Sequence, residues 1–224
     1  MKALLLLMCI APILAGFLVA NFFGFRRLNK AGELSVNLET ILESLSAKYG
    51  KLNYVFKKRT WQGKPLNRDG VALIDEKYRH STSCSEIAQQ LIKLGLSGLW
   101  EEHEKLIRWR VKCVKIGYIL PPLTVVGCAL GVIIGRVPIM WTIIILGLVL
   151  AGCICSLWFS RAVERESASQ MISLIERTRV IHRVSEEESL IEAVHAWTWV
   201  SILPGIAISF LMKTAPKNLD SLSG

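Results

Sequence analysis

Four histidines, His80, His103, His182 and His195, and six cysteines are the side chains of this 224-residue chain with the chemistry to hold a transition metal. Their spacing matters more than their number. Only His103-Glu104 sets an imidazole directly before a carboxylate, the pairing with which a zinc hydrolase binds its ion and activates the ion's water. A second imidazole four residues on would complete that pattern, and Ile107 stands there. A ligand set drawn from separate segments would use His80, His103 and Glu104, whereas a histidine beside several glutamates on a helix is ordinarily part of a solvated face. His80 and His182 adjoin Arg79 and Arg183, whose charge opposes a bound cation. His195 stands at the mouth of an apolar run, where it caps an interface. Cys153 and Cys155, two apart on a helix, point about 200° from each other and cannot clasp one ion. There is no G-x-S-x-G elbow, phosphate-binding glycine loop, dinucleotide fingerprint or C-x-x-C pair. No residue is therefore assigned a catalytic or cofactor-binding role, and no cofactor is expected.

The elements that would position such residues are mostly apolar. The chain is 52% hydrophobic and 20% charged, with a mean hydropathy of +0.41, which excludes a disordered regulator and is too high for an ordinary soluble domain. A hydrocarbon core of about 30 Å needs about 20 apolar residues in a helix. Ala3–Phe25, Ile116–Gly135 and Ile139–Phe159 meet that length without a charge after Lys2 and before Arg136, and Ala196–Met212 is a shorter fourth. Trp197 and Trp199 stand where an aromatic belt would lie. The expected fold is a mainly α membrane protein: four transmembrane helices, a small cytoplasmic α+β unit and a cytoplasmic helical hairpin.

The first run resembles a signal peptide at Met1-Lys2 and Ala15-Gly16, but it continues to Phe25 before Arg26-Arg27 stops it, too long for an ordinary h-region. It reads as an uncleaved anchor over residues 1–25. A lipoprotein site at Cys9 is disfavoured by bulky Met8.

Residues 26–115 hold 18 Lys and Arg and residues 160–195 hold 5. With four spans these segments share one side, which the positive-inside rule makes the cytoplasm, with both termini outside and the chain in the cell (inner) membrane. The net charge of +9 then reflects topology and attraction to anionic lipid, not nucleic-acid binding. Cys9, Cys128, Cys153 and Cys155 lie in spans and Cys84 and Cys113 on the reducing side, so no structural disulfide is expected.

In residues 26–115, Leu38, Ile41, Leu42 and Leu45 predict an amphipathic helix over 33–50, stopped by Gly50. Leu52–Phe56 and Val71–Ile74 read as short strands around the turn-rich segment Trp61–Gly70. Ile87, Leu91 and Leu94 predict a helix over Ser83–Leu96, and another from about Glu101 runs into the hairpin of spans over 116–159. In 160–195, Met171, Leu174 and Ile175 mark one helix face, and Ser185 reads as the N-cap of a helix with Glu186–Glu188 in its first turn. That helix leads into 196–212, followed by a tail over 213–224. Gly127, Gly131 and Gly135, four apart, form a smooth stripe suited to packing of spans two and three, or to another membrane protein or a second copy of the chain. Pro121-Pro122 lies near the start of the same span, where proline costs little.

The order of these parts resembles the neutral zinc metallopeptidases of bacterial membranes. The likeness is carried by Leu38-Glu-Thr-Ile-Leu-Glu-Ser-Leu through Tyr54-Val-Phe, by Val71-Ala-Leu-Ile-Asp-Glu-Lys-Tyr78, and by Val163-Glu-Arg-Glu-Ser-Ala-Ser with Glu176, Glu187 and Thr198-Trp-Val200 beyond it. It covers most of the chain as pattern, not identity. The resemblance implies an H-E-x-x-H helix after the second strand, and Ile92-Lys93-Leu94-Gly95-Leu96 occupies that place. Both imidazoles are aliphatic there and the general base is a lysine. What this implies is a catalytically inactive relative that binds or scaffolds a partner. The alternatives are an active zinc peptidase with non-standard ligands at His80, His103 and Glu104, and an unrelated membrane assembly protein.

Overall fold

Where apolar residues recur at helical spacing the chain forms helices, and the computed structural model, which describes residues 2–50, 52–58 and 64–214, is mainly helical. Helix α1 (Lys2–Val19) widens into a π-helical segment, Ala20–Phe25, and ends in the single turn α2 (Arg26–Leu28). Helix α3 (Leu38–Tyr49) is started by Asn37, whose side chain accepts from the Thr40 backbone N–H at 2.9 Å. Strands β1 (Tyr54–Lys57) and β2 (Ala72–Asp75) pair in parallel, with Tyr54 opposite Ala72 and Lys57 opposite Asp75. The turn segment between them lies partly outside the described residues. All four residues of β2 are buried, as a strand covered on both faces requires.

Helix α4 (Cys84–Gly98) is followed at once by α5 (Trp100–Ile133), which is continuous through the second expected span apart from non-helical backbone at His103. Helices α6 (Ile139–Phe159), α7 (Arg161–Thr178), α8 (Val184–Val200) and α9 (Gly205–Thr214) complete the chain. Among the described residues, three helices are long and apolar enough to cross a membrane: the first, α5 and α6. Their outer faces expose large apolar side chains such as Leu18, Leu123, Ile133 and Ile139.

Three expectations are corrected. Ala196–Met212 is not one helix, because α8 stops at Val200 and α9 begins only after Pro204. Proline has no N–H to donate and restricts the residue before it, so an apolar run containing Leu203-Pro204 breaks there. Trp197 does not belong to a belt: it is buried, and its indole N–H donates to the Ser85 carbonyl of α4. Helix α8 also begins two residues earlier than expected, so Arg183 and not Ser185 is its N-cap. Glu186 in the first turn instead accepts from the Ser35 backbone N–H at 2.9 Å and from its hydroxyl at 2.7 Å, tying α8 to the segment before α3.

At the centre, α4 packs on β2, α7 and α8. Leu38, Ile41, Leu42 and Leu45 of α3 are fully buried, as are Ile87 and Leu91 of α4 and Met171 and Ile175 of α7. Glycines permit two close crossings: a Cβ on Gly16 would come within 2.8 Å of Ile154, and one on Gly24 within 2.6 Å of Val200. The first helix thus touches both the membrane hairpin and α8. In the glycine stripe, Gly131 packs on Val137 across the hairpin turn, Gly135 makes that turn with φ +71°, and a Cβ on Gly127 would meet nothing within 4 Å.

Candidate functional site

The segment Ile92–Leu96 of α4 faces a cavity of about 90 Å³. Gln89, Ile92, Lys93 and Leu96 form one wall, Arg110, Val114 and Tyr118 of α5 a second, and Leu157, Glu164, Trp197, Ser201 and Leu203 a third, with Pro65 and with Gly205 and Ile208 of α9 at the sides. Ile107, Arg110, Cys113, Gly117 and Pro121 recur at intervals of three and four along α5 and are all buried, so Arg110 sits on that helix's inward stripe.

A buried guanidinium must have its five N–H groups satisfied. Arg110, 1% exposed, donates through Nε to Glu164 Oε1 at 2.8 Å, and its Nη2 lies 2.8 Å from Glu164 Oε2. It also donates to the Leu157 carbonyl at 2.8 Å, the Ser160 hydroxyl at 2.9 Å and the Ser201 carbonyl at 2.8 Å. One side chain therefore joins α5 to α6, to α7 and to the end of α8. The Ser201 hydroxyl donates to the second carboxylate oxygen of Glu164. Next to it, Arg161 donates to the Thr198 carbonyl at 2.8 Å and lies 3.3 Å from the centre of the Trp199 ring.

Lys93 is 8% exposed, and its Nζ donates to Gln90 Oε1 at 3.0 Å. Burial pushes its pKa down to about 8, against the upward pull of Asp75. The cavity thus contains a neutralised ion pair and an amine that gives up its proton more readily than an ordinary lysine.

The residues singled out from sequence do not meet. His80 Nδ1 lies 3.7 Å from Glu39 of α3, His103 Nε2 lies 3.4 Å from Glu166 of α7, and Glu104 pairs with Arg108 on its own helix. Glu39 is held below the usual carboxylate range by hydrogen bonding from Arg79. His182 lines a separate groove with Glu176, Glu187 and Glu188. Partial burial, with Arg27 and Arg165 nearby, lowers the His195 pKa. Among the described residues no three His, Cys, Asp or Glu side chains gather as a metal site. The cavity's donor set does not suit zinc either, since Ile92 and Leu96 offer no lone pairs, Lys93 offers an amine, and both oxygens of Glu164 already accept from Arg110.

Sequence reasoning named Lys93 only as a replacement, quoted Glu164 only within the segment that carries the resemblance, and missed Arg110. The signal was the stripe Ile107, Arg110, Cys113, Gly117, in which one charge interrupts an inward face. No protein-family model matches the chain, and neither a curated protein nor a solved structure is significantly similar to it.

Proposed function

We propose that this chain is a membrane-embedded relative of the neutral zinc metallopeptidases that no longer cleaves peptides and acts as a partner-binding or scaffolding protein, its α+β unit and its α7–α8 hairpin on the cytoplasmic side. The observation that carries this reading is the composition of the cavity beside α4. Where the resemblance would place two imidazoles and a general base, the wall is Ile92, Lys93 and Leu96. The buried carboxylate facing them is saturated by a guanidinium. A divalent ion entering this cavity would meet a lysine amine and a carboxylate already committed to Arg110, with no imidazole to ligate it.

The frame around the cavity supports the resemblance independently of the missing ligands. The reading requires the two short strands to pair and the helix that follows to pack on them, and β1–β2 pairing with α4 against β2 agrees with it. An emptied site on an intact frame leaves the exposed surfaces of the unit to carry the function. Met171 and Ile175 are buried, so the hairpin presents its polar side outward.

Metal analysis of the purified full chain, with a peptide hydrolysis assay, tests this reading. The expected result is less than stoichiometric zinc and no hydrolysis. Stoichiometric zinc lost together with peptidase activity on His103→Ala would overturn it in favour of a peptidase with non-standard ligands.

A further inference from the structure

Helix α5 changes character at Lys115. Arg108, Lys112 and Lys115 recur at intervals of four and three and so share one face, and the apolar run begins with the next residue, Ile116. The same face continues as Ile119 and Leu123, which are 44% and 64% exposed. The loop before β2 lies against its lower part: a Cβ on Gly70 would fall 2.3 Å from Trp100 Cγ, so the loop can lie against the helix only with glycine there, at φ +76°.

Loop and helix enclose a pocket of about 510 Å³ into which Lys64, Arg68, Arg108, Lys112 and Lys115 converge. No carboxylate lines it among the described residues. Glu104 neutralises Arg108, whose guanidinium also lies 5.6 Å from the Trp100 ring, and four cations are left facing the space. Cations lining one pocket without a carboxylate favour an anion in it. Their rise along α5 from Arg108 to Lys115 is about 10 Å, enough to run through a headgroup layer of about 5–8 Å.

We propose that this pocket binds the phosphodiester headgroup of an anionic phospholipid, with Lys112 and Lys115 as principal contacts, Arg68 and Lys64 closing over it from the loop, and the acyl chains along Ile119 and Leu123. The exposed apolar face directly above the cations can take the acyl chains of a lipid, which a free phosphate lacks. The inference rests on α5 crossing a bilayer and not on the loss of peptidase activity, so it stands or falls separately from the reading above.

Native mass spectrometry of the full chain in neutral detergent tests it, with phosphatidylglycerol, phosphatidylcholine or inorganic phosphate added. One phosphatidylglycerol per chain should be retained, and the double variant Lys112→Gln, Lys115→Gln should weaken retention about twenty-five-fold, each charge contributing roughly fivefold. The control variant Arg26→Gln, Arg27→Gln removes as much charge at the end of the first span and should retain the lipid within about twofold of the parent. Both variants are compared at unchanged helix content by circular dichroism. Equal retention by the Lys112, Lys115 variant would overturn the site. An equal fall in the Arg26, Arg27 control would reduce it to general attraction. Displacement of the lipid by millimolar phosphate, or equal retention of phosphatidylcholine, would refute recognition of a lipid phosphodiester by these cations.

Discussion

Ser167 of α7 donates its hydroxyl to the Ile92 carbonyl of α4 at 2.8 Å, across the space left by the absent side chain of Gly95. A Cβ on Gly95 would lie 2.3 Å from the Ser167 oxygen and 2.7 Å from its backbone carbonyl. The backbone atom cannot rotate away as a side chain could, so α4 and α7 would have to separate. Gly95→Ala gains about 1 kcal/mol of helix propensity and loses about 1–3 kcal/mol to overpacking. The expected outcome is a lower thermal midpoint in detergent; an unchanged or higher midpoint would contradict this packing.

The Arg110–Glu164 pair makes a prediction through its asymmetry. Removing one member of a buried pair leaves the other charge uncompensated, at a cost of about 3–5 kcal/mol, whereas an apolar pair of similar volume can be close to neutral. Arg110→Met and Glu164→Leu should each destabilise strongly, and the double variant should be more stable than either. Denaturant titration of the three proteins in detergent checks this. A double variant as unstable as the sum of the two singles would show that the pair is not an isolated unit.

Lys93 has a folded pKa of about 8 against an ordinary 10.5. Between these values the unfolded chain binds more protons than the folded one, so stability rises with pH across that window and levels off above it. Below about 8 the burial penalty is fully present, on the order of 3 kcal/mol. Lys93→Met should therefore be more stable than the parent at neutral pH, with the advantage shrinking towards pH 10. A constant difference between the two proteins would refute a depressed Lys93.

Cys84 is fully buried, and burial pushes its thiol up to about 11. At pH 8 it should resist iodoacetamide in the folded protein and react only after unfolding. Peptide mapping after brief alkylation reads this out. Modification of Cys84 as fast as that of a free thiol would place α4 outside the core.

Much of the architecture is legible because its signals are periodic. Leu38, Ile41, Leu42 and Leu45 name the buried face of α3 directly, and the long uncharged runs mark the first helix, α5 and α6 by length alone. The Ala196–Met212 run misleads because composition masks one residue: Pro204 weighs little in an apolar average, yet it removes a donor that a continuous helix needs. Ser185 misleads for another reason. It suits a cap, but Glu186 is drawn towards Ser35, 151 positions away, and such a partner is invisible to local rules. The cavity is harder still, since Arg110, Glu164 and Ser201 come from three elements and each alone looks like an ordinary polar residue. Only the inward register of Arg110 hints that it lies within.

The interruption between α8 and α9 has a geometric consequence for depth. The ten described residues of this helix, Gly205–Thr214, rise about 15 Å, half the thickness of the oily layer. Its starting end rests beside Tyr118, where a Cβ on Gly205 would fall inside the phenol ring, and beside the Arg110 guanidinium that takes up the Ser201 carbonyl. The Ser201 carbonyl freed by the interruption is thus met by protein and not by lipid. A guanidinium serving as the stopper of one helix lets the next set off on a heading of its own.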